Sequence, residues 1–383
     1  MNLAPALEAS SPAEESLRRL REAAATLSRP AKFMEVCGTH TMSAFRSGLH
    51  SLMPGNVMLL SGPGCPVCVT SQGDVDQLIE LARRPGITLC TYGDMLRVMG
   101  SDGSLEQARA EGADVRVVYS SLDAVELAAK DRGREVVFAA VGFETTTPAS
   151  AAAVEQARRL GLENFSILAS HKLIIPAMRA LLESGDVRID GFLCPGHVAV
   201  IIGAAAFEPI VRQYGKPCVI AGFEGPQIAA ALARLTELVS EGRAALENLY
   251  SQAVTEEGNL AAQAIIDRVF MPADWHWRGL GELKGSGLRL RPQYARYDAR
   301  ARFSLGTPQG KEVAGCRCGE VITGRATPIE CKLFGTACTP VRALGPCMVS
   351  SEGTCQAWFK YQRLKQQASP LLKTAKTRSV ARD

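Results

Sequence analysis

Aromatic residues make up only 6% of this 383-residue chain, and histidine occurs five times. No apolar stretch is long enough to cross a bilayer. The longest charge-free run, Gly191 to Phe207, covers 17 residues and is interrupted by Cys-Pro-Gly-His, so it reads as a buried strand plus helix. The N-terminal MNLAPALEASSPAEESLRRL has neither a basic n-region nor an apolar h-region, which argues against a secretory leader. Neither G-x-x-x-x-G-K-[ST] nor a G-x-G-x-x-G placed between strand and helix is present, leaving ATP and NAD binding without support. The net charge of +4 is slight, and part of it sits in the last 24 residues, where seven Lys/Arg face only Asp383. No basic stripe with interleaved aromatics suggests nucleic-acid binding. The expectation is a cytoplasmic protein that engages neither nucleic acid nor membrane.

Cysteine is plentiful by contrast, with twelve in the chain. Structural disulfides are rare in the cytoplasm, so metal binding and redox chemistry are the usual reasons to keep so many. Six of them, Cys316, Cys318, Cys331, Cys338, Cys347 and Cys355, crowd into residues 316–355. Their block holds no C-x₂-C pair and no histidine, against the habits of zinc ribbons and fingers. Cys316, Cys331, Cys338 and Cys355 give C-x₁₄-C-x₆-C-x₁₆-C, an open arrangement able to wrap a four-iron cubane, which needs four thiolates. Cys318 is an alternative to Cys316, and Cys347 is a spare. Zinc and unligated buried thiols stay open as competing readings of the spacing.

The length suggests two or three domains. From residue 31 to about 225, apolar runs alternate with helical patterns. The runs are KFMEV (32–36), VMLLS (57–61), ITLCTY (87–92), VRVVYS (115–120), EVVFAAVG (135–142), FSILAS (165–170), GFLC (191–194) and CVIAG (218–222). Uniformly apolar strands alternating with helices predict an α/β fold with parallel sheet covered on both faces. Eight such units fit either one closed barrel or two open sheets. Residues 252–270 read as one more helix, and the turn-rich segment from Met271 to Pro292 reads as a linker. The expected division is an N-terminal helical extension over 1–30, a first α/β domain over 31–130 and a second over 131–285. A cysteine-rich domain with a basic tail follows over 286–383.

The unusual residues fall at strand C-termini, the edge where parallel α/β folds bind ligands. CGTHT follows the first strand and GPGCPVC the second; GFETTTP, SHK and PGHV follow later ones. Cys65 and Cys68 form a C-x-x-C ahead of a helix expected to start near Thr70 or Ser71. Amides and helix dipole there favour thiolate, suited to reversible disulfide formation or soft metal ligation. Cys37 and His40 are three apart in one turn, close enough to share an ion. Thr39, Glu144, Thr145, His171 and His197 are candidates to orient a small ligand in a shared cleft. Each taken alone also fits a cap, a salt bridge or a satisfied core histidine. Cys90, Cys194 and Cys218 read as inert core residues.

The blocks MEVCGTHT, GPGCPVCVT, GFETTTP, SHKLIIPAM, CPGHV, ECKLFGTACTP and GPCMVSSEGTC, in this order from Met34 to Cys355, resemble the signatures of the HypD family of [NiFe]-hydrogenase maturation factors. The resemblance implies two similar open, doubly wound parallel-sheet domains facing a cleft, plus a third domain with a [4Fe–4S] cluster. It implies a scaffold on which an Fe(CN)₂CO group is assembled with a HypC-type chaperone, cyanide arriving from a HypE-type donor. By motif, Cys37 corresponds to the iron-binding cysteine and Cys65 with Cys68 to a redox-active pair that also approaches iron. Cys316, Cys331, Cys338 and Cys355 fall on the cluster-ligand spacing. Releasing cyanide from a thiocyanate consumes two electrons, which a dithiol supplies by closing a disulfide. A redox-competent assembly scaffold is expected rather than a turnover enzyme. A [4Fe–4S]-dependent thiol–disulfide oxidoreductase, with Cys37 serving only structure, is the alternative.

Overall fold

A computed structural model describes residues 11–306 and 310–361. Each of the eight apolar runs forms a strand: β1 (Ala31–Glu35), β2 (Val57–Ser61), β3 (Ile87–Thr91), β4 (Asp114–Val117), β5 (Glu135–Gly142), β6 (Phe165–Lys172), β7 (Gly191–Pro195) and β8 (Cys218–Ala221). Three further strands follow, β9 (Leu246–Asn248), β10 (Phe270–Trp277) and β11 (Gly281–Leu290). Among the central strands, β3, β7 and β8 are buried at every residue, because helices cover both faces of each sheet.

The strands form two open sheets and no closed barrel. One is fully parallel, in the order β2-β1-β7-β8-β9. The other runs β10-β11-β6-β5-β3-β4, with the hairpin β10–β11 added antiparallel to an otherwise parallel set. The sheets do not follow the expected division at residue 130. β3 and β4 share a sheet with β5 and β6, while β1 and β2 share the other with β7, β8 and β9. The chain crosses between sheets after β2 and returns after β6. The expected linker is likewise corrected: residues 270–290 are the hairpin that completes the second sheet. The basic tail lies outside the described residues, as does the start of the N-terminal extension. The rest of that extension forms the helix Pro12–Ala25, capped by Ser11 and Glu14 and packed on the helix Gly225–Ser240.

In the first sheet β1 and β7 are neighbours, and the chain runs from β1 outward to β2 on one side and from β7 outward to β8 on the other, so the connections leave this pair in opposite directions. That topological switch point opens a crevice at the carboxyl ends of β1 and β7. A continuous apolar core joins the parts, running through Val36, Cys68, Val141, Trp277, Cys318 and Cys347. A buried charge cluster locks the helix Gln72–Arg83 in place. Asp74 in its first turn meets Arg300 at 2.6 Å and Lys172 at 3.7 Å, and accepts from Trp275 Nε1 at 3.2 Å. Among the described residues no helix is long and apolar enough to cross a membrane.

Candidate functional site

Cys37 leaves the end of β1 at the switch point and is the N-cap of the helix Gly38–Arg46. Its backbone N–H donates to Glu35 Oε2 at 2.9 Å, and Thr41 Oγ1 donates to the other oxygen of the same buried carboxylate. Burial pushes the Cys37 thiol up to about 12. The His40 and Thr39 amides pull the other way, while Glu352 and Glu35 add to the rise. Glu35 itself is raised to about 8 by burial. The pocket therefore holds a protonated thiol between two carboxyl groups, an environment that disfavours another anion and welcomes a cation.

His40 is fully buried. Its Nε2 lies 2.9 Å from the Gly222 carbonyl, a contact in which the ring nitrogen donates. That tautomer leaves the Nδ1 lone pair buried without a partner among the described residues. Phe223 stacks on His40 at 4.8 Å and on His197 at 3.7 Å, with Tyr250 edge-on at 6.2 Å. His197, at the start of the helix Gly196–Ile202 after β7, is exposed and completes the other bank of the crevice.

The second cysteine turn is pressed against the first. Gly38 N donates to Gly64 O at 3.3 Å, and a Cβ built on Gly64 would stand 2.1 Å from Cys37 N. Only glycine lets the two backbones come this close. Cys65 and Cys68 are joined as a disulfide with Cα atoms 5.2 Å apart, both buried. Cys65 caps and Cys68 lies within a four-residue turn, Pro66–Val69, that packs on β5 of the other sheet and on the turn Pro346–Val349 of the cysteine-rich region. The longer helix begins at Gln72 with Ser71 as cap, as expected. Its dipole does not reach the pair directly, because Thr70 is extended and bridges to Trp277.

In the cysteine-rich region Cys318, Cys331, Cys338 and Cys347 are buried, and Cys316 and Cys355 are half-buried. Burial pushes Cys316 up to about 12, and Cys318, Cys331 and Cys338 lie near enough to raise it further. Cys355 is within the same reach of Cys316, Cys318 and Cys338. Cys318, Cys347 and Cys355 act on one another's thiols, and Cys355 N–H donates to Cys347 Sγ at 3.1 Å. Leu344 N–H donates to Cys338 Sγ at 3.3 Å. A Cβ on Gly345 would stand 2.6 Å from Cys316 Sγ, so glycine keeps that sulfur clear. Among the described residues no three His, Cys, Asp or Glu side chains are gathered tightly enough to hold a single metal ion.

Three candidates belong to the other sheet. Glu144 follows β5 and accepts from Ile174 N at 2.9 Å; burial raises it to about 7. It borders a cavity of ≈ 300 Å³ walled by Ile175, Ile202, Phe270 and Leu288. His171 near the end of β6 is fully buried, neither ring nitrogen has a hydrogen-bond partner among the described residues, and burial lowers it to about 3. Thr145 is exposed, while its neighbours Thr146 and Thr147 bond to Phe143 O. The crevice at β1 and β7 thus gathers Cys37, Thr39, His40, His197 and the Cys65–Cys68 pair, whereas Glu144, Thr145 and His171 line the neighbouring sheet.

Two residues of the crevice escaped the sequence reading. Glu352, from the cysteine block, accepts from Thr39 Oγ1 at 2.6 Å and acts on Cys37, Glu35 and His197. Its signal was a carboxylate inside an otherwise small and apolar cysteine motif. Phe223 had a weaker signal: Gly-Phe-Glu occurs after a strand twice, at 142–144 and at 222–224.

The HypD family model, described as "Hydrogenase formation hypA family", matches residues 12–362. A hydrogenase maturation factor HypD from Azotobacter vinelandii is 50% identical over 345 residues, covering 88% of this chain and 91% of the relative. Hydrogenase maturation factor HypD2 of Bradyrhizobium diazoefficiens is 48% identical over 345 residues, covering 88% and 91%. The Escherichia coli K12 hydrogenase maturation factor HypD is 44% identical over 357 residues, covering 92% and 96%. With the CGTHT, GPGCPVC and PGHV turns gathered at one switch point and matches of this extent, the chain belongs to the HypD family of hydrogenase maturation factors.

Proposed function

We propose that this protein is a cytoplasmic, redox-competent scaffold that binds iron at Cys37 and assembles the Fe(CN)₂CO group of [NiFe]-hydrogenase. It does so with a HypC-type chaperone and takes cyanide from a HypE-type donor. The observation that carries the reading is the meeting of three motif turns at the β1 switch point. Cys37 lies on Gly64 of the C-x-x-C turn, and Glu352 of the cysteine block lies on Thr39.

The residues suit iron as cargo. A cation arriving between Glu35 and Glu352 compensates their charge and draws the proton from the Cys37 thiol, inverting the metal-free balance. The soft thiolate matches an iron made electron-accepting by cyanide and CO. Cys65 and Cys68 act beside it as dithiol: closing their disulfide gives two electrons and two protons. These cleave a thiocyanate S–C bond to thiol and hydrogen cyanide. His40 and His197, held by Phe223, line the space where the released cyanide is captured.

Cys316 lies within electrostatic reach of Cys331 and Cys338, and Cys355 of Cys316 and Cys338; thiols so grouped, yet not drawn to single-ion spacing among the described residues, suit an object larger than one ion. Cys316, Cys331, Cys338 and Cys355 would hold a [4Fe–4S] cluster, with Cys318 and Cys347 paired next to them. When bound, such a cluster supplies electrons one at a time. The Pro346–Val349 turn then links that region to the C-x-x-C turn it packs on.

The infrared spectrum of the anaerobically purified complex with its HypC-type chaperone tests this. Cyanide and carbonyl stretching bands are expected together with acid-labile sulfide. Sulfide without those bands would make the protein a cluster-dependent thiol–disulfide oxidoreductase instead.

A further inference from the structure

Arg278, the residue after β10, is 2% exposed, a rare degree of burial for a side chain that keeps its charge at any ordinary pH. Its closest partners are neutral. The backbone N–H donates to Val69 O at 3.0 Å, Nε to Thr70 O at 3.2 Å and Nη2 to Gln72 Oε1 at 3.2 Å. All three acceptors lie on the chain just after Cys68. Among the described residues the one carboxylate within ion-pair distance is Glu312, exposed and 3.6 Å away, too far to hydrogen-bond.

Neighbouring charges do not make up the difference. Asp74 is buried but already meets two cations, Arg300 and Lys172. Arg317 and Arg325 carry their own carboxylates, Glu320 and Asp186. The Arg278 charge is felt inside the protein: burial lowers Lys172 to about 8, Asp74 opposes the fall, and Arg300 and Arg278 add to it. It also faces the cysteine-rich region. The next residue, Gly279, has φ +77° and lies on Gly319, where a Cβ on Gly279 would stand 2.4 Å from Gly319 O. Buried Cys318 is therefore one residue from that contact. Cys347 and burial raise the Cys318 thiol, and the Arg278 charge acts against them. Cys318 is in turn within electrostatic reach of Cys316 and Cys355.

We infer that Arg278 is the buried counter-charge for an electron taken up in the cysteine-rich region, and that the same side chain ties that region to the C-x-x-C turn. The inference rests on the reading above, in which Cys316, Cys331, Cys338 and Cys355 hold an iron–sulfur cluster. Four thiolates make such a group anionic, and reduction adds one more negative charge. A fixed cation in a low-dielectric interior stabilises the reduced form more than the oxidised one and raises the potential. Arg278 touches no reacting atom; it is a positioning residue that acts through the thiolates.

An anaerobic dithionite titration of the full-length protein, followed by electron paramagnetic resonance, tests this. Arg278→Gln should make the one-electron reduction about tenfold less favourable, a fall of about 59 mV. Arg278→Lys keeps the charge and should recover most of it. Glu312→Gln removes the exposed carboxylate and should move the potential the other way, making reduction about threefold more favourable at low salt. That upward shift should shrink at about 0.5 M salt, while the Arg278→Gln shift should persist. A strap of purely structural worth would leave Glu312→Gln at the wild-type potential. An unmoved or lowered potential in Glu312→Gln at low salt overturns the inference, even if Arg278→Gln does not fold. A folded Arg278→Gln at the wild-type potential overturns it as well. Wild type without iron–sulfur absorbance overturns the cluster reading beneath it, and that spectrum tells the failures apart.

Discussion

Thr39 and Glu352 lie 313 positions apart in the chain and 2.6 Å apart in space, hydroxyl to carboxylate. This hydrogen bond ties the cysteine-rich region to the first turn of the Cys37 helix. It also places a negative charge beside a buried thiol that burial alone would keep protonated.

Removing that charge separates two roles. Glu352→Ala should lower stability by about 1–2 kcal/mol, the worth of a half-buried charge-assisted bond. Glu352→Gln should keep most of that stability, because the amide oxygen still accepts from Thr39, yet retain less iron. Calorimetric unfolding and iron analysis of both variants check it; equal iron retention in Glu352→Gln would show the charge to be irrelevant.

Gly64 is the contact that brings the cysteine turns together. Gly64→Ala places a methyl group 2.1 Å from Cys37 N and must push the two turns apart. A loss of at least about 2 kcal/mol is expected. The infrared bands of the assembled group should weaken with it. Thermal unfolding at near-native midpoint would contradict the close approach.

How much of this the sequence disclosed varies from residue to residue. The eight central strands were legible because burial on both faces leaves no polar alternation, so VMLLS or EVVFAAVG reads as a strand without context. Which sheet each strand joins was not legible, since β3 pairing with β5 and β1 with β7 are non-local choices between helical connections of similar composition. The hairpin was obscured because β10 and β11 form the edge of the second sheet and carry exposed polar residues such as Asp274 and Lys284 among their apolar ones. The turns with Cys37 and Cys65 stood out by residue type alone. Glu352 did not, because its role exists only once a distant segment folds onto Gly38. His171 and His197 looked alike in sequence, yet one is sealed under Phe270 and the other open to the crevice.

Glu144 gives a pH signature. Its carboxyl, raised from 4.5 to about 7, is protonated in the folded state at pH values where the unfolded chain has already lost the proton. The stabilisation from this group is fully present below 4.5 and is lost as pH rises through 7, in total about 3 kcal/mol. Glu144→Gln removes that dependence. The midpoint of the variant relative to wild type should therefore rise between pH 5 and pH 8; a constant difference across that range would show that Glu144 titrates normally.

The Asp74 cluster predicts a large effect outside the crevice. Asp74→Asn leaves Lys172 and Arg300 facing each other in the interior without their counter-charge, which should cost about 3–5 kcal/mol. Chemical denaturation measures it. A loss below about 1 kcal/mol would mean that the cluster is solvated rather than buried.

The central claim is that Cys37 holds the iron under assembly, and Cys37→Ser tests it most directly. The serine hydroxyl can serve as N-cap at the same position, so fold and thermal midpoint should be nearly kept, and the iron–sulfur absorbance should be unchanged. A hydroxyl stays protonated at neutral pH and is a harder donor than thiolate. In the complex with the HypC-type chaperone the cyanide and carbonyl stretching bands should therefore vanish. Full-strength bands in Cys37→Ser would contradict the account and move the iron to the Cys65–Cys68 pair.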